Sequence, residues 1–195
     1  LEFRRVLFRS HGNLRAALLE AAHDLLVADG ATKLSLRAVA RQAGVSQTAP
    51  YRHFKDKAAL LSALAAEGFR GLNRSMRSRG DGVVDPKARM AAYGQGYVAF
   101  ATENPAVFQL MFGPEIPDKG SDEALCEAAN AAFGVLAQET GGGGPVSGPA
   151  DAALAAWSLV HGLATLINDG QIRAEMFGET DLDAAALSDR DRKST

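Results

Sequence analysis

The chain has 195 residues, 47% of them hydrophobic and 23% charged, the balance of an ordinary globular protein. Its formal net charge of −2 hides a division: residues 1–79 hold 14 Lys and Arg against 6 Asp and Glu, a net +8, while residues 80–195 hold 7 against 17, a net −10. The lone cysteine, Cys126, excludes an intrachain disulfide. No apolar run approaches the roughly 20 residues of a membrane span, and no secretory leader is expected in Leu1–Ser10, so the expectation is a cytoplasmic protein with no membrane partner.

The first ten residues, LEFRRVLFRS, do not join the helical pattern that follows. They are either a basic arm for a minor groove or, preferably, an appended segment without a native role; the closing DRKST is read the same way. Asn13 is a candidate N-cap for a helix to about Ala28, closed by Asp29-Gly30. Thr32 or Ser35 caps a second helix ending near Ala43, and a third is expected from Gln47 to His53. Asp56 precedes a long apolar-periodic segment, Ala58 to about Arg79, which breaks at Ser78–Gly82. Asp85-Pro86 opens a helix carrying Met90, Tyr93, Tyr97 and Phe100 at spacings of three or four. Asn104-Pro105 ends it and starts another, to Phe112. Gly113-Pro114 and Pro117 mark a loop, residues 121–139 an alanine-rich helix, and GGGGPVSGP at 141–149 a linker. Residues 151–169 form a helix containing Trp157, and Leu182–Leu187 a last short one. Nothing reads as a strand, so the expected fold is all-α.

Residues 34–57, LSLRAVARQAGVSQTAPYRHFKDK, have the layout of a helix-turn-helix. Leu36, Val39 and Ala40 recur at helical spacing and form one buried stripe. Gly44 follows where the helix should exit, in a left-handed conformation that glycine accepts. Val45 plugs the angle, and Ser46 stands as a cap for a short second helix, polar on one side. Ala43-Gly44-Val45-Ser46, Tyr51-Arg52-His53-Phe54, Asp56-Lys57 and Leu60, with Leu14, Leu18, Ala21, Leu25 and Leu26 upstream, resemble the TetR family of transcriptional regulators over about residues 11–65. A looser likeness, in Asn104–Gly113 and in Trp157…His161-Gly162, is to the AcrR-like branch with a Trp…His-Gly regulatory domain. Pro50 departs from the template: it lacks an N–H and disfavours helical geometry at Ala49, so it stiffens or shifts the reading helix.

The resemblance implies a three-helix DNA-binding domain at 11–57 and a helical ligand-binding and dimerisation domain at 58–190. Gln47, Thr48 and Tyr51 would face the major groove, with Ser46 at the helix start. Tyr51, His53, Lys57 and Arg37 would position the DNA backbone, Lys57 adding its charge to a helix N-terminus. The other reading keeps Phe54 as core, His53 as structural, and Arg37, Arg41 and Lys55 as a solvated face. The expected partner is a palindromic operator bound by a homodimer, the two copies meeting through 121–139 and 151–169 in a four-helix bundle. Ala128, Ala129, Ala132, Ala152, Ala153 and Ala156 would permit close approach there, or would pack within one chain. Met90, Tyr93, Tyr97, Phe100, Phe108, Met111, Phe112, Trp157 and His161 are candidate lining for an apolar or aromatic effector, or plain core.

Two rivals, an enzyme and an interaction module, stand against a ligand-released repressor. The four histidines, His11, His23, His53 and His161, show no metal-ligand spacing with Cys126 or a carboxylate. GGGGPVSG lacks the Lys-Ser/Thr of a phosphate loop, and no nucleophile elbow is present. No catalytic residue, metal or cofactor is therefore expected. The alternative to a regulator is a helical interaction module that has lost DNA binding, for which Pro50 argues and the +8 half argues against.

Overall fold

The computed structural model describes residues 14–139 and 151–172. Residues 1–13 with the Asn13 cap, the 141–149 linker, the Leu182–Leu187 helix and the terminal DRKST lie outside the described residues. Among those described there are seven α-helices and no strand: α1 (Leu14–Lys33), α2 (Leu36–Gln42), α3 (Lys57–Gly80), α4 (Pro86–Glu103), α5 (Pro105–Phe112), α6 (Glu123–Glu139) and α7 (Asp151–Asn168). Two 3₁₀ turns intervene, Ala49–Arg52 and Lys119–Ser121.

Polar caps place the helix starts. Ser35 Oγ accepts the Ala38 N–H at 3.2 Å, Asp56 Oδ1 that of Ala59 at 2.8 Å, Asp85 Oδ2 that of Ala88 at 2.8 Å and Asp122 Oδ1 that of Leu125 at 3.0 Å. Each side chain occupies a donor that the first helical turn leaves without a partner. Of the two caps open for α2, Ser35 is the one used. Glycines place the exits. At Gly30 (φ 77°, ψ 166°) the backbone leaves helical geometry inside the span of α1. Gly44 (φ 68°) closes α2: its N–H bonds Arg41 O at 3.2 Å and the Val45 N–H bonds Ala40 O at 3.0 Å, a Schellman pair that satisfies two final carbonyls.

The third helix of the expected motif differs. The chain from Gln47 to His53 is turn followed by 3₁₀ helix, not α-helix. Proline explains it. An α-turn would need the N–H of residue 50 to reach Ser46 O, and Pro50 has none; Ser46 O instead accepts the Ala49 N–H at 3.0 Å, and Thr48 O that of Tyr51 at 3.3 Å.

The described residues pack as two compact units, one within Leu1–Asn73 and Ala106–Ala132, the other within Arg74–Pro105 and Phe133–Thr195. In the first unit, Leu18, Ala22, Leu26, Leu34, Val39, Ala40, Phe54, Leu60 and Leu64 are almost fully buried. Further along, Phe112 meets Phe69 edge-on at 5.3 Å and Phe108 at 5.0 Å, while Asn73 Nδ2 donates to Ala131 O at 2.8 Å.

In the second unit α4 packs along α7, around Tyr97, Phe100, Ala101, Ala153 and Ala164. Ser75 Oγ donates to Gly96 O at 2.9 Å where α3 and α4 cross. Arg89 fastens three segments: Nε and Nη2 donate to the Glu139 carboxylate at 2.9 and 2.7 Å, and Nη1 to Val83 O at 3.0 Å. Glu139 accordingly pushes the already high pKa of Arg89 up further.

Candidate functional site

The first candidate site is the exit of α2 and the turn after it. From Gly30 to Lys55 the sequence has Lys33, Arg37, Arg41, Arg52 and Lys55 and no acidic residue. Arg37, Arg41, Ser46, Gln47, Thr48, Tyr51, Arg52, His53 and Lys55 are all exposed. The stripe of α2 that holds this surface in place, Leu36, Val39 and Ala40, is buried as its spacing required. Tyr51 and Phe54, three residues apart, separate cleanly: Tyr51 is 52% exposed and Phe54 only 2%. The guanidinium of Arg15 sits 5.6 Å above the Phe54 ring, within cation–π range. His53 is on the surface, not in the core.

Two expected roles look different in place. Ser46 Oγ caps no helix; it lies 3.3 Å from Thr48 Oγ1, a hydroxyl-to-hydroxyl bond. Lys57 is the first residue of α3, as a phosphate anchor would be, but its Nζ donates to Thr32 O at 3.0 Å. That contact ties the start of α3 to the last residues of α1, just beyond the break at Gly30. Sequence spacing carried no signal for a bond across 25 residues.

The nine candidate effector residues divide between the units. Phe108, Met111 and Phe112 belong to the first, where Met111 and Val107 pack close against Gly68. Met90, Tyr93, Tyr97, Phe100, Trp157 and His161 belong to the second. There, Trp157 Nε1 donates to Tyr97 Oη at 3.3 Å, and Tyr97 Oη lies 2.9 Å from His161 Nδ1. The phenol oxygen has room to accept from the indole and also to donate to or accept from Nδ1, so the direction of the Tyr97–His161 bond follows the imidazole tautomer. Phe133 closes edge-on over Trp157 at 5.5 Å. Burial holds the Tyr97 phenol above its usual range and draws His161 below the ordinary histidine value. Phe100 is fully buried core, and Tyr93 donates its hydroxyl to Asp81 Oδ1 at 3.0 Å.

A pH dependence follows. The unfolded His161 titrates near 6.5 and the folded one lower, so the unfolded chain binds the proton more readily. The stability that neutral His161 contributes is full above pH ~6.5 and is lost as pH falls through the folded value. Melting temperature should therefore drop between pH 7.5 and pH 5 by more in the wild type than in His161→Gln. Equal drops in a pH series of melts would refute the assignment.

Among the described residues no group of His, Cys, Asp and Glu is placed to hold a metal ion, and no helix is long and apolar enough to cross a membrane.

A short helix-turn-helix unit with an acid-free exposed surface, joined to further helices with an aromatic core, defines a helix-turn-helix regulator class by architecture. Comparison with known proteins makes this specific. Residues 18–64 match the family described as bacterial regulatory proteins, tetR family, and residues 90–189 the tetracyclin repressor-like C-terminal domain, which includes Trp157, His161 and Gly162. A solved structure from Rhodococcus sp. RHA1, described as of unknown function, is 33% identical, with 94% of this chain and 95% of that one covered and a TM-score of 0.70. A tetR-family regulatory protein from Rhodococcus RHA1 is 19% identical over 90% of this chain and 92% of that one, with a TM-score of 0.65, a likeness of fold. The nucleoid occlusion factor SlmA of Vibrio vulnificus is 33% identical over 106 residues, 52% of each chain. An HTH-type transcriptional regulator of Mycobacterium bovis is 31% identical over 106 residues, 53% of this chain and 45% of that one. The chain spans about half the length of the curated relatives it matches. This protein belongs to the TetR family, a family of regulators and not of enzymes.

Proposed function

We propose that this chain is a DNA-binding transcriptional regulator, a repressor that holds a palindromic operator as a homodimer and is released by a small apolar or aromatic effector. Residues 11–57 do the reading; residues 58–190 regulate and dimerise. The observation that carries this is the exposed, acid-free surface from Gly30 to Lys55 on a helix-turn-helix. Arg37, Arg41, Arg52 and Lys55 neutralise phosphates and set register, with His53 beside them. Thr48 and Tyr51 supply groups for base edges, with Ser46 and Gln47 beside them on the same exposed surface. Lys57, held on Thr32 O, keeps the start of α3 at the DNA rather than carrying the main charge. A gel shift against the DNA flanking its own gene tests this. Two copies with four such cations each, all on phosphates, give log K against log salt a slope of roughly −7. No retarded band at low salt refutes DNA binding.

Dimerisation is supported by α7. Leu154, Ala155, Ser158, Leu159 and Leu166 share one exposed face, and Leu159 is 74% exposed. By contrast Ala128, Ala132 and Ala153, offered as spacers for a partner, are buried within the chain. The second copy therefore rests on leucines, with Ala129 and Ala156 at the margin. Leu159→Glu should halve the mass seen by light scattering at micromolar concentration; a monomeric wild type contradicts the proposal.

The effector is proposed to act on the second unit, where Tyr97, Trp157 and His161 set polar groups among apolar rings, bordered by Met90, Tyr93 and Phe100. Phe108, Met111 and Phe112 then serve as packing in the first unit. A ligand that binds the form unable to seat on DNA lowers operator affinity by its differential binding, about 1–3 kcal/mol in typical cases.

A further inference from the structure

The 3₁₀ turn at Pro50 changes which side chains stand together on the reading surface. In an α-helix, residues four apart share a face, so Gln47 would act with Tyr51. In a 3₁₀ helix residues three apart eclipse. Here Thr48 leads into the turn and its carbonyl accepts the Tyr51 N–H at 3.3 Å, so Thr48 stands one 3₁₀ turn before Tyr51, while Gln47 belongs to the turn that precedes it. Pro50 is buried, whereas Gln47, Thr48 and Tyr51 are exposed, so it is the spacing along the turn and not burial that pairs Thr48 with Tyr51. The hydrogen bonds fix this geometry at both ends. Ser46 O and Thr48 O accept at the i+3 spacing, and Pro50 O accepts both the His53 and Phe54 N–H groups at 2.9 Å.

We propose that Pro50 is the residue that sets base preference, by holding Ala49–Arg52 as a 3₁₀ turn that presents Thr48 and Tyr51 as the reading pair in place of Gln47 and Tyr51. The inference rests on the DNA-binding reading above and goes further, to the base. The Thr48 hydroxyl is engaged by Ser46 Oγ at 3.3 Å, which leaves its methyl as the group offered to the groove. A methyl matches the 5-methyl of thymine. The read position opposite Thr48 is therefore a T·A pair. Pro50 itself is a positioning residue; it touches no base.

The test is selection of a randomised duplex library by the full chain, followed by titration on the selected site and on its single-base variants. Four substitutions are made: Gln47→Ala, Thr48→Ser, Thr48→Val and Pro50→Ala. Thr48→Ser, which loses only the methyl, should reduce discrimination at one thymine by about fivefold, the scale of one lost base contact. Thr48→Val should keep it, and Gln47→Ala should leave preference nearly unchanged. In Pro50→Ala, checked for retained helicity by circular dichroism, the preferred sequence should change and sensitivity should pass to Gln47. A general loss of fold would weaken binding to all sequences alike and would not move the preference. If Gln47→Ala shifts preference more than Thr48→Ser in the wild-type background, the proposal is overturned, whether or not Pro50→Ala folds. If the wild type enriches no sequence and binds none at low salt, it is the DNA-binding reading that fails.

Discussion

Gly96→Val is expected to unfold the second unit or cost it at least about 3 kcal/mol, and Gly96→Ala about 2 kcal/mol. A Cβ at Gly96 would stand 2.6 Å from Met76 Cα and 2.6 Å from Ser75 O. Both are main-chain atoms of α3, so no rotamer change relieves the clash and the two helices must move apart. That separation also stretches the 2.9 Å bond from Ser75 Oγ to Gly96 O. Alanine's better helix propensity returns about 1 kcal/mol, which is why its cost is the smaller. Gly134, on α6, is the control, because nothing lies within 4 Å of its Cβ position. Gly134→Ala should raise stability by about 0.5–1 kcal/mol. Thermal or urea melts of the three variants decide the matter; a neutral Gly96→Val would mean that α3 and α4 do not cross in this way.

The second large effect separates two aromatic residues. Phe54→Ala should destabilise the helix-turn-helix by about 3–5 kcal/mol, the range for truncating a buried phenylalanine. Its ring is 2% exposed and its N–H bonds Pro50 O, so it seats the reading turn on the core below. Losing it removes the platform, and DNA binding with it. Tyr51→Ala, at a side chain 52% exposed, should shift stability by less than about 0.5 kcal/mol, yet weaken operator binding severalfold. Chemical denaturation beside a gel shift reads both quantities. Should Tyr51→Ala destabilise as much as Phe54→Ala, Tyr51 is a packing residue and the reading surface is smaller than proposed.

Helix boundaries were legible wherever one residue acts on its own neighbours. Ser35, Asp56 and Asp85 stand immediately before their helices and bond an N–H three residues on. Gly44 takes the positive φ that its place after Ala43 demanded. The apolar spacing of α2 named its buried stripe correctly. Pro50 was visible as a departure, but its consequence was not: whether a missing N–H is absorbed within an α-turn or converts it to 3₁₀ depends on where Ser46 O finds its donor. Contacts between distant segments were not legible at all. Tyr97, Trp157 and His161 stood among nine candidate lining residues, yet their meeting depends on α4 and α7 lying side by side across 60 residues. The alanines of α6 and α7 show the same limit. Small residues suit any close helix contact, and sequence alone does not say whether the neighbour is in the same chain. The exposed leucines of α7 carried a clearer signal, which was hidden because leucine in a helix is first read as core.

The clasp at Arg89 has a practical consequence. Its two bonds to Glu139 are short, and both side chains are largely withdrawn from water, at 28% and 14% exposure. Mobile ions screen such a pair far less than they screen charges on an open surface, where the Debye length is already only about 3 Å at 1 M. The surface proposed for DNA works by the opposite physics, since its affinity comes from releasing counterions and added salt makes that release less favourable. Concentrated salt should therefore strip the nucleic acid from this protein while the clasp stays shut. A ligand could then be titrated into the second unit at high ionic strength with its helices intact and no duplex competing for the conformation being measured.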